Sequence, residues 1–208
     1  TRLGFAATYL SIGMMEFFTL LYEDMDFILE VMDHYTKWLT RAMEIVSNIG
    51  FDLVSASDDM AMKTGPMISP QMINDHFIPP MQKVVRSIDI PWFAHSDGNM
   101  LPLMDIWLKL GQNGIHPIDP LAMDIRNVKR KYGLQVCIIG NVDVDLLSKG
   151  TPEEIETEVR NLIRDIAPGG GYILSSGNSL ASSVRIENVM AMGDALKKYG
   201  HYPLDIKE

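Results

Sequence analysis

The sequence is short of cysteine, of basic charge and of long uninterrupted apolar runs. Its 208 residues contain one cysteine, so a framework of disulfide bonds is excluded. Lys and Arg number 18 against 27 Asp and Glu, which gives a formal net charge of −9 at pH 7. A nucleic-acid partner is therefore not expected, because nucleic acids are bound by basic surfaces. Acidic residues interrupt the apolar stretches near the start of the chain, so no membrane span is predicted.

The chain also lacks an initiator methionine and a targeting segment. It begins Thr1-Arg2 and continues at once into the apolar run Leu3–Tyr9, which we predict to be a buried strand. We therefore expect a fragment, or a product processed from a longer protein. The absence of a signal-peptide pattern, with 15 Met, predicts a soluble cytoplasmic protein. Cys137 lies in an apolar run and is expected to be a small buried hydrophobic residue.

The sequence is otherwise typical of a globular α/β protein. With 47% hydrophobic residues and a mean hydropathy of +0.04, it is expected to form one compact domain. The predicted strands are Leu3–Tyr9, 52–56, 90–95, 114–117, 134–139 and 172–174. The predicted helices are 13–22, 25–48, 69–87, 101–110, 124–132, 151–166 and 186–199. Apolar strands that alternate with helices predict parallel strands buried on both faces.

Polar residues follow five of the predicted strands, at 57–59, 95–99, 116–119, 140–143 and 175–179. A doubly wound open sheet gathers its functional residues at one switch point, whereas a barrel can use every strand end. The distribution favours a (β/α)8 barrel of TIM type, with about six βα units in this chain. Residues 1–208 are therefore predicted to form a single barrel domain that lacks about two N-terminal units.

The stretch Ile90–Asn99 carries the densest group of candidate site residues. His95 and Asp97 follow an apolar strand and can bind a metal ion, a carboxylate or a substrate hydroxyl. A lone His at a strand end is commonly a satisfied polar residue, but Asp97 two positions later favours a functional role. Asp58 and Asp59 fit a turn or cap as well as a site. Lys63 is either a solvated charge or a local cation for an anionic substrate.

Two other features are interpreted as mainly structural. In the turn Gly140–Asp143, Asn141 tolerates left-handed geometry and Asp143 can bond its own backbone. His116, which precedes Pro117, is interpreted in the same way. The apolar residues between 14 and 46 are predicted to be core. If two barrel units are absent, part of this stripe would be exposed, and a homodimer is then expected.

A series of short motifs resembles a known family in order and spacing. The motifs are Asp58-Asp59 with 63–66, then 95–99, 140–143, 150–154, 169–174, 187–189 and 199–200. From Leu3 to Pro203 the chain resembles the uroporphyrinogen decarboxylase superfamily, which includes corrinoid-dependent methyltransferases. The resemblance implies a (β/α)8 barrel whose full-length members carry further N-terminal residues.

The resemblance implies first a carboxy-lyase of porphyrin biosynthesis that decarboxylates an acidic tetrapyrrole without metal or cofactor. Under this hypothesis His95, Asp97 and Asp59 are the predicted catalytic residues, and the family match prefers Asp59 to its neighbour. The predicted substrate-binding residues are Asp58, Lys63, Asn99, Asn141, Asn178 and Ser179. Asn178 occupies the position of a family histidine. It can bond a carboxylate but cannot take up a proton near neutral pH.

The resemblance implies two alternatives. One is methyl transfer to a thiol or another small-molecule acceptor, with Zn²⁺ and a corrinoid partner as cofactors. His95 and Asp97 then become metal ligands, at the positions of a His-x-Cys pair in that branch, and Asn178 lies near a second family Cys. The other alternative is an inactive remnant or scaffold. Stoichiometric zinc that is lost in His95→Ala would separate methyl transfer from metal-free decarboxylation.

Overall fold

The computed structural model describes residues 1–204, which belong to two compact units. The first unit comprises Thr1–Asn113, and the second begins at Gly114. Each unit contains parallel strands and the helices that follow them. The prediction of one barrel domain over residues 1–208 stays a prediction, and the two units are described separately.

The first unit begins with three helices and continues with two parallel strands. The elements are α1 (Phe5–Ile12), α2 (Met14–Glu23), α3 (Met25–Asn48), β1 (Val54–Ser57), β2 (Ala61–Met62), β3 (Gly65–Pro66), α4 (Pro70–Met72), α5 (Ile78–Val85), β4 (Trp92–His95) and α6 (Met104–Trp107). A π-helical segment (Ile73–Phe77) joins α4 to α5, and short 3₁₀ turns flank α6. β1 and β4 are parallel neighbours, with Val54 opposite Trp92 and Ser57 opposite His95. Their carboxyl ends therefore meet at one edge.

The predicted strand Leu3–Tyr9 is wrong, because these residues form most of α1. The run is apolar and largely buried on all sides, so its periodicity does not separate a strand from a helix. Aromatic packing holds α1 in place: the Phe5 ring lies 4.9 Å from Phe77 and 5.8 Å from Phe17, both edge to face. Residues 1–204 consequently contain five parallel strands instead of about six.

The long helix α3 has the predicted bounds but a partly different buried face. Within the apolar stripe predicted to be core, the three- and four-residue spacing favours a buried face formed by Phe27, Val31, Tyr35, Leu39, Met43 and Val46. The buried residues are Ile28, Met32, Thr36, Leu39 and Met43, while Phe27 is 44% exposed. Both sets recur at three- and four-residue steps, and apolar residues lie on both sides of the stripe. The spacing of apolar residues therefore predicted the helix, but not which face of its first half is buried.

The predicted helix 69–87 is interrupted by the π-helical segment. Ser69 caps its start as predicted, because the side chain accepts a hydrogen bond from the Met72 amide. Pro79 and Pro80 provide no backbone N–H groups to the next turn, and the Ile78 amide bonds the carbonyl of Ile73, five residues back. The prolines therefore account for the local widening of the helix.

The second unit contains three parallel strands in sequence order. Its elements are β5 (Gly114–His116), α7 (Ile125–Tyr132), β6 (Cys137–Val142), α8 (Val144–Lys149), α9 (Pro152–Ile166), β7 (Tyr172–Ser176) and α10 (Ile186–Tyr199). Thr151 and Glu154 form the expected capping box at α9. Helix α8 was not predicted; Asp143 caps it by accepting from the Asp145 amide. Cys137 is half-buried and not fully buried as expected.

Within residues 1–204, none of the helices taken singly has the length and apolar character that crossing a membrane requires. Helices α1 and α2 together meet that requirement by length and composition only, and they are bent by 103° at the break between them.

Candidate functional site

The candidate site lies in the first unit, where β1 and β4 end side by side. Asp58 and Asp59 follow β1, while His95 is the last residue of β4 and Asp97 comes two positions later. The pairing continues past Ser57, because the Asp58 amide donates to the His95 carbonyl at 2.9 Å. The parallel register therefore brings the two polar strand ends together, as the sequence predicted.

Three of these side chains converge as a cluster of one imidazole and two carboxylates. The Nε2 atom of His95 lies 3.6 Å from Oδ1 of Asp97 and 3.9 Å from Oδ1 of Asp59. One ligand atom from each residue lies within 4.8 Å of the other two. The His95 side chain is 16% exposed, and the two carboxylates are about twice as exposed. The carboxylate side chains are thus more exposed than the imidazole, although Oδ1 of Asp97 itself is buried.

Backbone contacts fix the orientation of the Asp59 carboxylate and the position of the segment that carries Asp97. The Asp97 amide donates to Oδ1 of Asp59 at 3.0 Å, which ties the end of β4 to the residues after β1. Between His95 and Asp97, Ser96 points the other way and is buried, where its Oγ accepts from the Met60 amide at 3.1 Å. Alternation along the extended chain therefore places His95 and Asp97 on the site and Ser96 beneath it.

Gly98 allows the loop after Asp97 to press against the β2–β3 hairpin. Its φ of +83° lies in the left-handed region, and a Cβ there would approach the Ala61 carbonyl oxygen to 2.6 Å. The next residue continues this contact, since the Asn99 amide donates to the Met62 carbonyl at 2.8 Å. The hairpin thus supports the loop that carries Asp97.

The donor set fits a divalent cation. Zinc bound tetrahedrally at about 2.0–2.1 Å holds its ligand atoms roughly 3.3–3.4 Å apart. The distances of 3.6 and 3.9 Å from His95 Nε2 exceed that value by roughly 0.2–0.6 Å, and all three ligand atoms lie within 4.8 Å of one another, so side-chain rotations are needed to close the set around an ion. One imidazole and two carboxylates form a mixed nitrogen and oxygen set that accepts zinc, manganese or iron. Three protein ligands also leave a coordination position for a substrate.

Asp58 has a different role from its neighbour. It is 2% exposed, and its two carboxylate oxygens accept hydrogen bonds from the Leu3 and Ala6 amides at the start of α1. Burial raises the pKa of Asp58 to about 7, while the two amides and nearby Arg2 act in the opposite direction. The structure therefore places Asp58 beneath the site as an anchor for α1, and not as the predicted substrate ligand.

Tyr9 on α1 lies close enough to Asp59 and Asp58 to be affected by their charges, which the sequence interpretation did not predict. Its side chain is buried, and its pKa is raised to about 12, mainly by burial and then by the charges of Asp59 and Asp58. The phenol is therefore protonated at neutral pH and can donate a hydrogen bond. Because Leu3–Tyr9 was interpreted as a strand, nothing in the pattern placed this tyrosine near the two acids.

The other predicted residues of the first unit are Lys63 and Asn99. Lys63 is exposed in the two-residue turn of the β2–β3 hairpin. The side-chain oxygen of Asn99 accepts from the Leu101 amide at 3.2 Å, which starts the following 3₁₀ turn. These contacts give Asn99 a structural function, and substrate binding by Lys63 and Asn99 stays a prediction.

Asn141, Asn178 and Ser179 belong to the second unit. Residues 140–142 were predicted to belong to a turn, but Asn141 lies within β6, where its buried side chain donates to the Ile118 carbonyl at 2.8 Å. Asn141 also lines a cavity of about 290 Å³ near the start of α7. Asn178 follows β7, where its side-chain oxygen accepts from the Ser179 amide. Substrate binding by these three residues stays a prediction.

Comparison with known proteins identifies the family. The sequence model of the family described as Uroporphyrinogen decarboxylase (URO-D) matches residues 5–199. The chain belongs to the uroporphyrinogen decarboxylase family. The uroporphyrinogen decarboxylase of Pseudoalteromonas translucida is 28% identical over 144 residues, which are 65% of this chain and 39% of that protein. That of Neisseria meningitidis serogroup A is 24% identical over 189 residues, or 86% and 50% of the two chains.

A solved structure extends the family comparison to the fold. A methyltransferase from Methanosarcina mazei superposes with a TM-score of 0.80 over 93% of this chain and 56% of that chain, at 19% identity. The similarity confirms an α/β fold of the (β/α)8-barrel type for this member of the uroporphyrinogen decarboxylase family. The chain spans about half the length, or less, of the curated relatives that it matches. Both comparisons connect it with enzymes, which are decarboxylases or a methyltransferase by name.

Proposed function

We propose that this chain contributes the metal site of a corrinoid-dependent methyltransferase. The observation that carries the proposal is the convergence of Asp59, His95 and Asp97, with one ligand atom of each within 4.8 Å of the others. The fold match to a methyltransferase is compatible with it. Because the chain spans about half of its curated relatives, the activity proposed is that of the whole protein.

The charge of the site favours a cation over a polyanionic substrate. Asp59 and Asp97 both lie in the cluster, each with a carboxylate oxygen within 4.8 Å of the other ligand atoms. Negative groups this close disfavour the approach of a tetrapyrrole with many carboxylates, unless cations are interposed. A divalent ion instead offsets the two carboxylates of the cluster. Metal-assisted methyl transfer is therefore preferred here to the decarboxylation that the sequence resemblance placed first.

The residues of the chain have definite tasks in this proposal. When bound, the metal ion supplies Lewis acidity, which stabilises negative charge on the substrate atom that exchanges the methyl group. His95 binds through Nε2, and the Asp97 amide orients Asp59 through the 3.0 Å hydrogen bond. Ser96 and the hairpin hold the loop that carries Asp97. Tyr9 provides a protonated phenol near the acids.

Metal binding by the whole protein tests the proposal directly. Protein purified without added metal is analysed by mass spectrometry for zinc, manganese and iron, and its affinity for Zn²⁺ is then titrated. We expect His95→Ala, Asp97→Asn and Asp59→Asn each to weaken binding at least tenfold, with loss of methyl transfer from methylcobalamin. His34→Ala is the matched control, because His34 is exposed on α3. Equal affinity in His95→Ala and wild type would contradict the proposal.

Cofactor-free decarboxylation of an acidic tetrapyrrole is a second candidate function. The names of the curated relatives favour it, since these relatives are uroporphyrinogen decarboxylases. In that case the proton donors and acceptors would be His95, Asp97 and Asp59. Lys63 would contact a substrate carboxylate. Turnover of uroporphyrinogen in the presence of a chelator would support this function over methyl transfer. An inactive remnant would bind neither metal nor tetrapyrrole, and action in the cytoplasm remains a prediction.

A further inference from the structure

The second unit contains a cavity of about 290 Å³ that the proposed function does not use. It lies between the end of β6, the start of α7 and helix α9, and its described walls come from residues between Pro120 and Leu162. We infer that this cavity binds a small aliphatic diamine in its doubly protonated form. The inference goes beyond the proposed function and does not depend on it.

Acidic side chains dominate the charge of the cavity. Its lining includes three acids, Asp124, Asp143 and Glu158. The one cation among the described lining residues, Arg126, is already engaged, because two of its nitrogen atoms lie 2.6 and 2.7 Å from Oδ2 of Asp165. In the part of the chain that the structure describes, none of the three lining carboxylates forms an ion pair. Three acids against one arginine leave two negative charges, which a dication balances.

The three carboxylates keep oxygen atoms available to a ligand. Asp124 and Asp143 each use one oxygen to cap the following helix, where it accepts from a backbone amide at 2.9 Å. Within the described residues, their second oxygens and the half-buried Glu158 carboxylate accept no hydrogen bond. After burial, the charge of Glu158 also contributes to raising the pKa of the Tyr172 phenol, which donates to the Gly140 carbonyl at 2.7 Å. The negative charge of Glu158 therefore acts towards β6 and β7.

Asn141 adds a buried acceptor to these carboxylates. Its side chain is 5% exposed and lines the cavity, and its amide NH₂ group donates to the Ile118 carbonyl at 2.8 Å. No described residue donates to its Oδ1. A buried amide oxygen without a donor costs free energy, so a ligand that supplies an N–H group gains from binding here. An alkylammonium group carries three N–H donors and no acceptor.

The spacing of the acids and the character of the walls favour an organic cation. Among the described residues, only the cluster at the ends of β1 and β4 brings three ligand atoms within 4.8 Å, so the cavity acids are too widely spaced for all three to share one metal ion. Met123, Ile125 and Leu162 are almost fully buried and give a methylene chain an apolar wall. None of the described lining residues is aromatic, whereas quaternary ammonium ions are commonly held by aromatic rings.

Calorimetric titration of the whole protein with 1,4-diaminobutane tests the inference. The titrations are made at constant ionic strength, so that general screening of charge does not differ between ligands. We expect a dissociation constant at least about tenfold lower than for butan-1-amine, which carries one ammonium group. Neither tetramethylammonium nor Mg²⁺ should displace the diamine. Equal affinity for the two amines, or displacement of the diamine by an equal concentration of Mg²⁺, would overturn the inference.

Variants that remove single charges locate the binding site. Glu158→Gln and Asp124→Asn should each weaken binding of 1,4-diaminobutane at least about tenfold, and asparagine retains the oxygen that caps α7. Glu153→Gln is the matched control, because Glu153 is exposed on the same helix as Glu158 and does not line the cavity. It should bind the diamine as wild type does. Affinity within twofold of wild type in either cavity variant, or an equal loss in the control, would contradict the assignment.

Discussion

Replacement of Gly98 by alanine tests whether the loop that carries Asp97 depends on its contact with the hairpin. Gly98 has a φ of +83°, and an added Cβ would lie 2.6 Å from the Ala61 oxygen and 2.7 Å from backbone atoms of Met62. Gly111 offers a matched control. Its φ is +79°, yet a Cβ there would meet nothing within 4 Å. The two substitutions therefore share the backbone strain and differ in the contact.

The expected magnitudes follow from these two contributions. A left-handed conformation costs a residue with a side chain about 1–2 kcal/mol. Overpacking against neighbours that cannot move adds about 1–3 kcal/mol. We therefore expect Gly98→Ala to destabilise the protein by about 2–5 kcal/mol and Gly111→Ala by about 1–2 kcal/mol. Relief of the clash needs a backbone shift of roughly 0.8 Å, the difference between an ordinary 3.4 Å contact and the 2.6 Å approach to the Ala61 oxygen.

Urea unfolding measures the loss of stability in each variant, and metal titration measures the change in metal affinity. The free energy of unfolding separates the variants, and the affinity for Zn²⁺ reports whether Asp97 has moved. We expect Gly98→Ala to lose metal affinity as well as stability, because ligand geometry tolerates little displacement. Gly111→Ala should retain its affinity. Equal destabilisation by the two substitutions, with unchanged affinity in both, would refute the argument that the hairpin positions the loop.

Three further predictions concern stability, each measured by urea unfolding. Burial raises the pKa of Asp58 from 3.8 to about 7, so the native state binds the proton more tightly than the unfolded state does. The stability that this proton provides should be complete below about pH 4 and should disappear as the pH rises through 7. Asp58→Asn should remove this pH dependence of the free energy of unfolding. Asn188 is buried and donates to the Leu147 and Gly150 carbonyls, so Asn188→Ala should cost about 2–4 kcal/mol, against less than about 0.5 kcal/mol for exposed Asn127→Ala. Thr151→Ala should cost about 1 kcal/mol through the lost capping box, and exposed Thr157→Ala should cost less.

Local signals in the sequence predicted those parts of the fold that depend on local chemistry. The bounds of α3 and α10 agree with prediction, and Ser69, Asp124 and Thr151 cap the helices that follow them. The prediction of a strand at Leu3–Tyr9 was wrong because a segment buried on all sides has no polar face from which a helical period could be recognised. Its helical form depends on Asp58, more than fifty residues away, whose carboxylate accepts from the amides that begin α1. Such a contact cannot be predicted from neighbouring residues.

The candidate site was predictable to the extent that it depends on strand ends. His95, Asp97 and Asp59 converge because β1 and β4 are parallel neighbours, and parallel strands gather their carboxyl ends at one edge. The separate roles of Asp58 and Asp59 were not predictable. Which of two adjacent acids turns towards the site depends on the register of β1 and on α1. Tyr9 was missed for the same reason, since it reaches the acids only through α1.

The adjacent acids Asp58 and Asp59 have a consequence for how sequence variation at this position should be interpreted. One carboxylate holds the amides of Leu3 and Ala6, and the other faces the cluster. In a library of substitutions scored by protein abundance, position 58 should tolerate almost no change, while position 59 should accept several. Scored by catalysis, both positions should appear intolerant. Two adjacent aspartates would thus be constrained for different reasons, Asp58 by the stability of the fold and Asp59 by the chemistry of the site.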